Sequence, residues 1–200
     1  MNRSHARGTS KKFEIVDAAI RCVAADGIRG LTYDAIGKRL KIGRSHVLYH
    51  FSSIDLILDA SIKFITATAQ DITVGEIKKA KNPKQQIEAF VNGAFFWAEN
   101  HPEQVAVLLL FYHFCATQPQ YKEIHTEIRK VGQQRLAMMI ATGFKDDISE
   151  PAKVERIALM AQGLITGNLL AVVTTNKKTD YVNEVRLQTS KAILEMITGK

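Results

Sequence analysis

The chain has 200 residues, of which 46% are hydrophobic and 24% are charged. This balance is typical of a globular protein with a substantial core and excludes an intrinsically disordered chain. The net charge of +7 favours a negatively charged partner if the excess is concentrated in one region.

The excess positive charge lies almost entirely in the first quarter of the chain. Residues 1–50 hold ten Lys or Arg and four Asp or Glu, a net of +6, whereas residues 51–200 have a net of +1. A basic end on a nearly neutral body favours binding of a polyanion by that end. A solvated tail that only aids solubility would have the same charge, so charge alone leaves both interpretations open.

The apolar pattern of the sequence contains no signal for secretion or for membrane insertion. Residues 1–12 contain no apolar stretch of the kind that a secretory signal requires. The apolar run at residues 105–116 is far shorter than the roughly 20 residues of a membrane-spanning helix. Cys22 and Cys115 lie in apolar patterns, which predicts reduced, buried thiols. We therefore expect a cytoplasmic protein with no membrane partner.

The first predicted helix follows the basic start. Phe13, Val16, Ile20 and Val23 recur at three- and four-residue spacing, which predicts the inward face of an amphipathic helix. Gly27 ends this helix, since glycine suits the left-handed conformation of a helix C-cap.

Two short helices come next. Thr32 suits the N-cap of the first, residues 41–43 interrupt the pattern, and the second spans residues 44–50. The side chains expected to point inward are Ala35, Ile36, Leu40, Val47 and Phe51. Two short helices joined by a tight turn that contains glycine describe a helix-turn-helix.

The rest of the chain is also helical in pattern, and no long alternating strand pattern is found. Six further helices are predicted, at residues 55–79, 84–99, 103–117, 119–142, 151–175 and 181–197. The expected fold is therefore all-α, with about nine helices.

The second helix of a helix-turn-helix lies in the major groove of DNA and reads base edges with its N-terminal residues. Here these residues are Arg44, Ser45 and His46, and an arginine can bond guanine through two hydrogen bonds. Tyr49 and His50 lie later on this helix and are candidates for phosphate contacts; packing within the small domain is the alternative. Arg44 has no acidic residue close in sequence, which favours a DNA contact over a structural ion pair.

Further candidates for DNA contacts surround this helix. Thr32 and Lys38 belong to the preceding helix, which crosses the DNA backbone in this motif. A flexible basic arm is expected before the first helix, and it would contact phosphates or the minor groove, or else stay solvated. The cations of this arm are Arg3, Arg7, Lys11 and Lys12. Contacts to the backbone supply affinity, whereas contacts to bases supply sequence choice.

At these residues the chain resembles the TetR family of bacterial transcriptional regulators, over residues 13–58. The landmarks are the apolar pattern that closes on Asp26-Gly27, the Leu31-Thr32 start, Ile36, and the run Tyr49-His50-Phe51 followed by two serines. We predict two domains: residues 1–52, with a three-helix DNA-binding unit, and residues 53–200, which the resemblance implies bind an effector and dimerise.

The turn and its flanks depart from the family pattern. Lys41 stands where the family usually has glycine, and Gly43 stands where it has a serine N-cap. Leu48 and Ile54 replace a tyrosine and a lysine that commonly contact phosphate in the family. We therefore expect Lys41 and the basic arm to supply part of the missing phosphate binding.

Aromatic residues cluster at residues 95–97 and 111–114. Most are expected in the core, but consecutive aromatic residues point in all directions around a helix, so some face a partner, a cavity or solvent. The resemblance implies a small-molecule pocket in this domain. The candidate lining residues are Trp97, Phe111, Tyr112 and His113.

Metal binding and catalysis have little support in the sequence. His113 and Cys115 lie two residues apart, which puts their side chains on different sides of a helix and suits neither a tetrahedral metal site nor a nucleophile pair. The sequence contains no glycine-rich phosphate loop and no HExxH or GxSxG motif. We predict no catalytic residue, no metal and no cofactor.

The last two helices are candidates for a dimer interface. A dimer would place two reading helices about one DNA turn apart, roughly 34–36 Å, which makes binding selective. Small residues at four-residue steps give one helix a smooth face, and the resemblance implies a four-helix seam; burial within one chain is the alternative. The predicted interface residues are Ile157, Met160, Gly163, Leu164, Gly167, Ala171, Val185, Ala192, Ile193 and Met196.

Together these patterns predict a DNA-binding transcriptional regulator. The resemblance implies a ligand-responsive repressor that binds a palindromic operator in double-stranded DNA as a homodimer. It also implies an effector, an unidentified small molecule, whose binding changes the spacing or angle of the two reading helices. Two alternatives stay open. One is a DNA-binding or architectural protein without an effector, and the other is a helical binding protein with a weakened DNA-reading head.

Overall fold

A computed structural model describes residues 3–175 and 179–199, with side chains from residue 10 onward. Across these ranges the chain is helical and contains no strand, which confirms the predicted all-α fold. The helices are α1 (Arg3–Asp26), α2 (Tyr33–Leu40), α3 (Arg44–His50), α4 (Ile54–Ile77), α5 (Pro83–Asn100), α6 (Pro102–Thr117), α7 (Pro119–Gly143), α8 (Pro151–Val173) and α9 (Thr179–Thr198). A short 3-10 helix, Gly27–Gly30, follows α1.

Helices α5 to α8 each begin at a proline, whose fixed φ suits the first helical turn. These starts are visible in the sequence, and the predicted ends of α4 to α9 lie within two residues of the observed ones. The prediction of a flexible N-terminal arm is wrong for the backbone, because α1 begins at Arg3. Residues 3–12 contain no proline to prevent this extension, although they lack the apolar periodicity that would have predicted it.

The chain divides into two compact units. The first comprises α1, α2, α3, the part of α4 up to residue 67, and α6, and in it α1 packs against both α2 and α6. Its core includes Ile15, Ile36, Val47 and Ile57, each with no exposed surface. Phe13, predicted to point inward, is 54% exposed and instead packs edge-on against Phe64, with ring centroids 5.1 Å apart.

The second unit contains the rest of α4, α5, and α7 to α9. Helix α8 packs against α7 and α9, and α5 packs against α7, α8 and α9. A Cβ on Gly93 of α5 would lie 2.6 Å from the Thr73 Cα, so α4 and α5 approach closely at this point. The core side chains with at most 1% exposure are Ile87, Val91, Phe95, Leu136, Ile140, Ala158, Ala161, Ile193 and Ile197.

The compact units do not follow the predicted functional boundary at residue 52, because α6 groups with the N-terminal helices. The assignment of function to residues 1–52 and 53–200 stays a prediction. Cys22 and Cys115 are both free and buried, as predicted. Burial raises the pKa of the Cys115 thiol and so favours its neutral form.

In the described part of the chain, one helix is long and apolar enough to cross a membrane by length and composition alone. That helix is α8, and 28% of its most apolar window is buried. It does not overlap the apolar run at residues 105–116, which lies in α6. An exposed apolar helix needs a covering partner or an apolar environment.

Candidate nucleic-acid interface

Helix α2 starts as predicted. The side-chain oxygen of Thr32 accepts a hydrogen bond from the backbone N–H of Ala35 at 3.1 Å, which confirms Thr32 as the N-cap. Ile36 is fully buried, whereas Ala35 and Leu40 are half-buried. Lys38 is exposed near the end of α2. The helix is therefore fixed at its start and anchored along one face.

The turn between α2 and α3 is unusually tight. Lys41 adopts the left-handed conformation with φ of 56°, the only non-glycine residue with positive φ among those described. The backbone N–H of Ile42 donates to the Gly37 carbonyl oxygen at 2.9 Å. A Cβ on Gly37 would lie 2.8 Å from the Ile42 carbonyl oxygen. Gly37 was not among the residues predicted from the sequence, and its lack of a side chain allows this close approach of the backbone.

Helix α3 begins at Arg44, after Gly43, which supplies no side-chain hydrogen bond as N-cap. Val47 and Phe51 are 0% and 8% exposed, so both point inward as predicted. Leu48 is 44% exposed, which places an apolar side chain on the outer part of the helix.

The polar residues of α3 lie on its exposed side. Arg44, Ser45 and His46 are exposed, and Tyr49 is 84% exposed. The alternative that Tyr49 packs the small domain is therefore wrong. These four side chains, with the half-buried His50, form what we call the α3 outer face. This face carries hydrogen-bond donors, an aromatic hydroxyl and a permanent positive charge.

Arg44 has no acidic residue close in sequence, but the fold gives it an acidic neighbour in space. Arg44 Nη1 lies 3.4 Å from Asp34 Oδ2, and its guanidinium carbon lies 5.7 Å from the centre of the Tyr33 ring. The fold brings α2 alongside α3, so a partner ten residues away in sequence becomes a neighbour in space. Because both charged side chains are more than 60% exposed, their ion pair contributes little to stability and leaves the guanidinium accessible.

His50 lies at the centre of a small aromatic and cationic cluster. Its ring centroid is 5.3 Å from that of His46 and 5.2 Å from that of Tyr49. Burial lowers the pKa of His50, and the positive charges of His46, Lys12 and Lys11 lower it further. His50 is therefore mainly neutral near pH 7 in the absence of an anion.

The cations of α1 are placed in two ways. Lys11 forms an ion pair with Glu14, one turn along α1. Lys12 is exposed, and its ammonium nitrogen lies 5.7 Å from the centre of the Phe51 ring, immediately after α3. The side chains of Arg3 and Arg7 lie outside the described residues. Of the two arm cations whose side chains are described, Lys12 is the one that contacts a residue next to α3, and Lys41 is exposed in the turn itself.

The predicted lining of the effector pocket is divided between the two units. Trp97 is buried in the second unit, whereas Phe111, Tyr112 and His113 belong to α6 in the first. Phe111 is buried, Tyr112 is half-buried and His113 is exposed. These four residues stay a prediction as a ligand site.

An open groove of about 1000 Å³ runs along α5 and α9 in the second unit, and none of the four predicted lining residues belongs to it. Its charged residues are Lys84, Glu88, Arg186, Lys191 and Glu195, with polar groups from Asn92 and Ser190. Lys84 pairs with Glu88, and Lys191 pairs with Glu195. Arg186 lies 3.9 Å from Glu99, which is not a lining residue. The lining thus carries three cations and two anions, together with apolar side chains such as Leu194.

Two predicted interface residues are buried within the chain. Ile157 is 6% exposed and Ile193 is fully buried, because both contribute to the core of the second unit. Their assignment to an interface between chains is wrong for this reason. Val185, Ala192 and Met196 on α9 are half-buried.

The rest of the predicted seam on α8 is accessible. Met160 is 53% exposed, Ala171 is exposed and Leu164 is half-buried. A Cβ on Gly163 or Gly167 would meet nothing within 4 Å. With Leu159, which is 49% exposed, these residues form what we call the α8 outer face. It is apolar and smooth.

No group of three or more His, Cys, Asp or Glu side chains with a metal-binding arrangement is found among the described residues.

Comparison with known proteins supports the assignment of a DNA-binding helix-turn-helix to the N-terminal helices. Residues 15–61 match the sequence profile of the tetR family of bacterial regulatory proteins. The matched segment spans the second half of α1, both helices of the helix-turn-helix and the start of α4. The chain is also 26% identical over 153 residues to the HTH-type transcriptional regulator BetI of Rhizobium meliloti (strain 1021), covering 76% of this chain and 73% of that protein.

Solved structures with the same fold cover nearly the whole chain. A transcriptional regulator from Saccharomonospora viridis in complex with choline has a TM-score of 0.80 at 20% identity, over 93% of this chain and 96% of that one. A transcriptional regulator from Rhodococcus sp. Rha1 has a TM-score of 0.76 at 17% identity, over 92% and 96%. At these identities the likeness establishes the fold.

The helices and the family match together define an all-helical regulator of transcription with an N-terminal helix-turn-helix. The family is one of transcriptional regulators. Over residues 15–61 the chain is similar to the tetR family of bacterial regulatory proteins, and over 153 residues it is similar to one HTH-type transcriptional regulator.

Proposed function

We propose that this regulator is a cytoplasmic repressor without catalytic activity, which binds a palindromic operator as a homodimer and releases it when a small molecule binds. The observation that carries the proposal is the α3 outer face. Its polar side chains are exposed, while Val47 and Phe51 anchor the helix from the other side. The arrangement suits a helix that enters the major groove with its N-terminal end.

In this proposal Arg44, Ser45 and His46 contact base edges, and Tyr49 and His50 contact phosphates. The cations Lys12, Lys38 and Lys41 and the hydroxyl of Thr32 bind the DNA backbone, together with the arm residues Arg3, Arg7 and Lys11. Contacts to phosphate position the protein, and those to bases select the sequence.

Dimerisation is supported by the α8 outer face. Met160, Gly163, Leu164, Gly167 and Ala171 give α8 an apolar surface that the chain itself leaves accessible. A two-fold dimer buries the same patch on both copies, so a smooth apolar helix is suited to pair with itself. A dimer also accounts for why α8 is apolar without requiring a membrane.

An effector is supported by one of the similar structures and by the aromatic residues of α5 and α6. The similar regulator from Saccharomonospora viridis was crystallised with choline. Choline is therefore the first compound to test, since a quaternary ammonium ion binds aromatic faces and this chain is rich in aromatic residues around 95–97 and 111–114. An effector acts only if it binds the DNA-bound and DNA-free states with different affinity.

The test is selection of binding sites from a random pool of double-stranded DNA by the full-length chain, followed by fluorescence anisotropy on the selected duplex. We expect a palindromic consensus and binding as a dimer at moderate salt, with Arg44→Ala reducing base discrimination by about 1–3 kcal/mol. Choline at millimolar concentration should then lower affinity for the duplex.

Each alternative has its own outcome. Selective DNA binding that does not respond to choline or to a wider set of small molecules would favour a DNA-binding or architectural protein without an effector. Failure to enrich any sequence would favour a helical binding protein with a weakened reading head, and would contradict the proposed function.

A further inference from the structure

The guanidinium of Arg44 is held by two side chains from the first turn of α2. Asp34 Oδ2 accepts a hydrogen bond from Arg44 Nη1 at 3.4 Å. The Tyr33 ring centre lies 5.7 Å from the Arg44 guanidinium carbon. Tyr33 is half-buried, so part of its ring is fixed by the surrounding domain, whereas the side chains of Arg44 and Asp34 are 63% and 71% exposed. Arg44 is thus restrained at one edge and still accessible.

We propose that Asp34 and Tyr33 are positioning residues for base recognition: they orient Arg44 before DNA arrives and so determine how strictly one base pair is selected. This inference rests on the proposed function, in which Arg44 contacts a base. It assigns a role to two residues that neither the sequence pattern nor the family match singles out.

The contacts with Asp34 and Tyr33 restrict the conformational freedom of Arg44. An arginine has a planar fork with five N–H donors, and a guanine edge uses two of them. The hydrogen bond to Asp34 occupies Nη1 and leaves donors on the other nitrogens. A side chain that is already restricted loses less entropy on binding, so a held arginine favours the one geometry that suits guanine.

The negative charge of Asp34 also affects non-specific DNA binding. Asp34 adds a negative charge beside a helix that is to approach phosphates, which opposes contacts that depend on charge alone. Two hydrogen bonds from Arg44 to guanine compensate for this unfavourable charge interaction, whereas non-specific binding provides no such compensation. An acidic partner at this position therefore lowers non-specific affinity and raises the ratio of specific to non-specific binding.

The experiment compares the full-length wild-type chain with Asp34→Asn, Tyr33→Leu and Arg44→Ala on three duplexes. These are the selected consensus, the consensus with the Arg44-dependent base pair exchanged, and a non-specific duplex of equal length. We expect Asp34→Asn and Tyr33→Leu each to reduce discrimination at that base pair by about three- to tenfold. Asp34→Asn should leave non-specific affinity unchanged or raise it slightly.

A double-mutant cycle separates positioning from a general effect on the fold. Combined with Arg44→Ala, Asp34→Asn should no longer change discrimination, because the side chain that it positions is gone. Tyr33→Phe retains the ring and should behave like the wild type. Asp17→Asn breaks a comparable exposed ion pair, with Arg21 at 3.0 Å on α1, and should leave discrimination unchanged.

Two results would overturn the inference while leaving the proposed function intact. One is unchanged discrimination in Asp34→Asn and Tyr33→Leu on a consensus that the wild type binds selectively. The other is an Asp34→Asn effect that persists at full size in the Arg44→Ala background. If the wild type selects no sequence, it is the proposed function that fails.

Discussion

Helices α3 and α8 present opposite kinds of surface. On α3 the exposed side chains include Arg44, Ser45 and Tyr49, which are polar or charged. On α8 they include Leu159 and Met160, with only 28% of the most apolar window buried. Each helix has one face that no other element of its own unit covers. Removal from water lowers the free energy only for the apolar α8 outer face.

The contrast separates two kinds of partner by their physical chemistry. Hydrogen-bond donors and cations bind favourably to DNA, and this binding weakens as the salt concentration rises. Association through an apolar, self-complementary face grows stronger with the apolar area that is buried and with close packing, and it is nearly independent of salt. The same chain thus carries one surface for a polyanion and another suited to a second copy of itself.

The largest effect is expected from a charge on the α8 outer face. Gly163→Arg places a long cation where a Cβ meets nothing within 4 Å, so the single chain accommodates it, whereas a dimer seam would have to bury an unpaired charge. We expect a monomer by analytical ultracentrifugation, and a loss of operator affinity of about 100- to 10,000-fold because two-headed binding is lost.

Gly75→Arg is the matched control, since it makes the same substitution at a helical glycine that also has open space around it. That variant should stay dimeric and bind DNA as the wild type does. A dimeric Gly163→Arg would mean that the apolar face of α8 has another occupant.

A second prediction tests the tightness of the turn that presents α3. Gly37→Ala brings a Cβ to 2.8 Å from the Ile42 carbonyl oxygen, which is backbone and cannot move aside cheaply. Overpacking of this kind costs about 1–3 kcal/mol, partly offset by the better helix propensity of alanine. We expect the melting temperature to fall by about 2–6 °C.

The control for this substitution lies six residues further on. A Cβ on Gly43 meets only the Ser45 hydroxyl oxygen at 3.6 Å, an ordinary contact. Gly43→Ser adds an N-cap side chain to α3 and should leave stability unchanged or raise it by a few tenths of a kcal/mol. Equal melting temperatures for Gly37→Ala and the wild type would show that the turn relaxes.

These two glycines illustrate how far the sequence leads. The helices could be predicted because prolines and apolar periodicity are local signals, and the inward positions of Val47 and Phe51 follow from the same periodicity. The requirement for glycine at position 37 could not be predicted, because it depends on where the backbone lies five residues later. The Asp34–Arg44 pair was missed for the same reason: α2 and α3 must first be brought together.

Burial also decided which predicted interface residues were wrong. Ile157 and Met160 have the same hydrophobic character and lie three residues apart on α8, yet one is 6% and the other 53% exposed. A helix that is apolar around its circumference does not reveal from sequence which side its own unit covers. The structure assigns Ile157 to the core and leaves Met160 accessible.

A third prediction concerns the turn residue Lys41. A non-glycine residue in the left-handed region costs about 1–2 kcal/mol, and glycine relieves this while losing more entropy on folding. Lys41→Gly should therefore raise the free energy of unfolding by about 0.5–1 kcal/mol, whereas Lys41→Ala should not. Chemical denaturation of the pair checks this.

Both Lys41 variants lose the same charge, so they also test its role in DNA binding. If Lys41 contacts phosphate, each should reduce the slope of log affinity against log salt by about 0.9. Lys191→Ala, on α9, removes an exposed lysine elsewhere and should leave the slope unchanged. An unchanged slope in Lys41→Ala would contradict the compensation for Leu48 and Ile54 that we expect from Lys41.

The smallest effect is expected from pH at the α3 outer face. Burial, His46, Lys12 and Lys11 lower the pKa of His50 below 6.5 in the DNA-free chain, so protonation is unfavourable there. Without DNA, this destabilises the fold slightly as the pH falls below 6.5, because the unfolded chain binds the proton more readily. Phosphates nearby reverse the balance: they stabilise imidazolium and raise the pKa in the complex, so binding takes up a proton.

DNA affinity should therefore rise by about two- to fivefold between pH 7.5 and 5.5, beyond the trend shown by a variant that cannot titrate at this position. His50→Gln is that variant, since glutamine keeps a polar side chain without the charge change. His101→Gln, at the N-cap of α6, is the control and should keep the full pH dependence. Identical pH profiles for His50→Gln and the wild type would place His50 away from phosphate and leave DNA backbone binding by α3 to Tyr49.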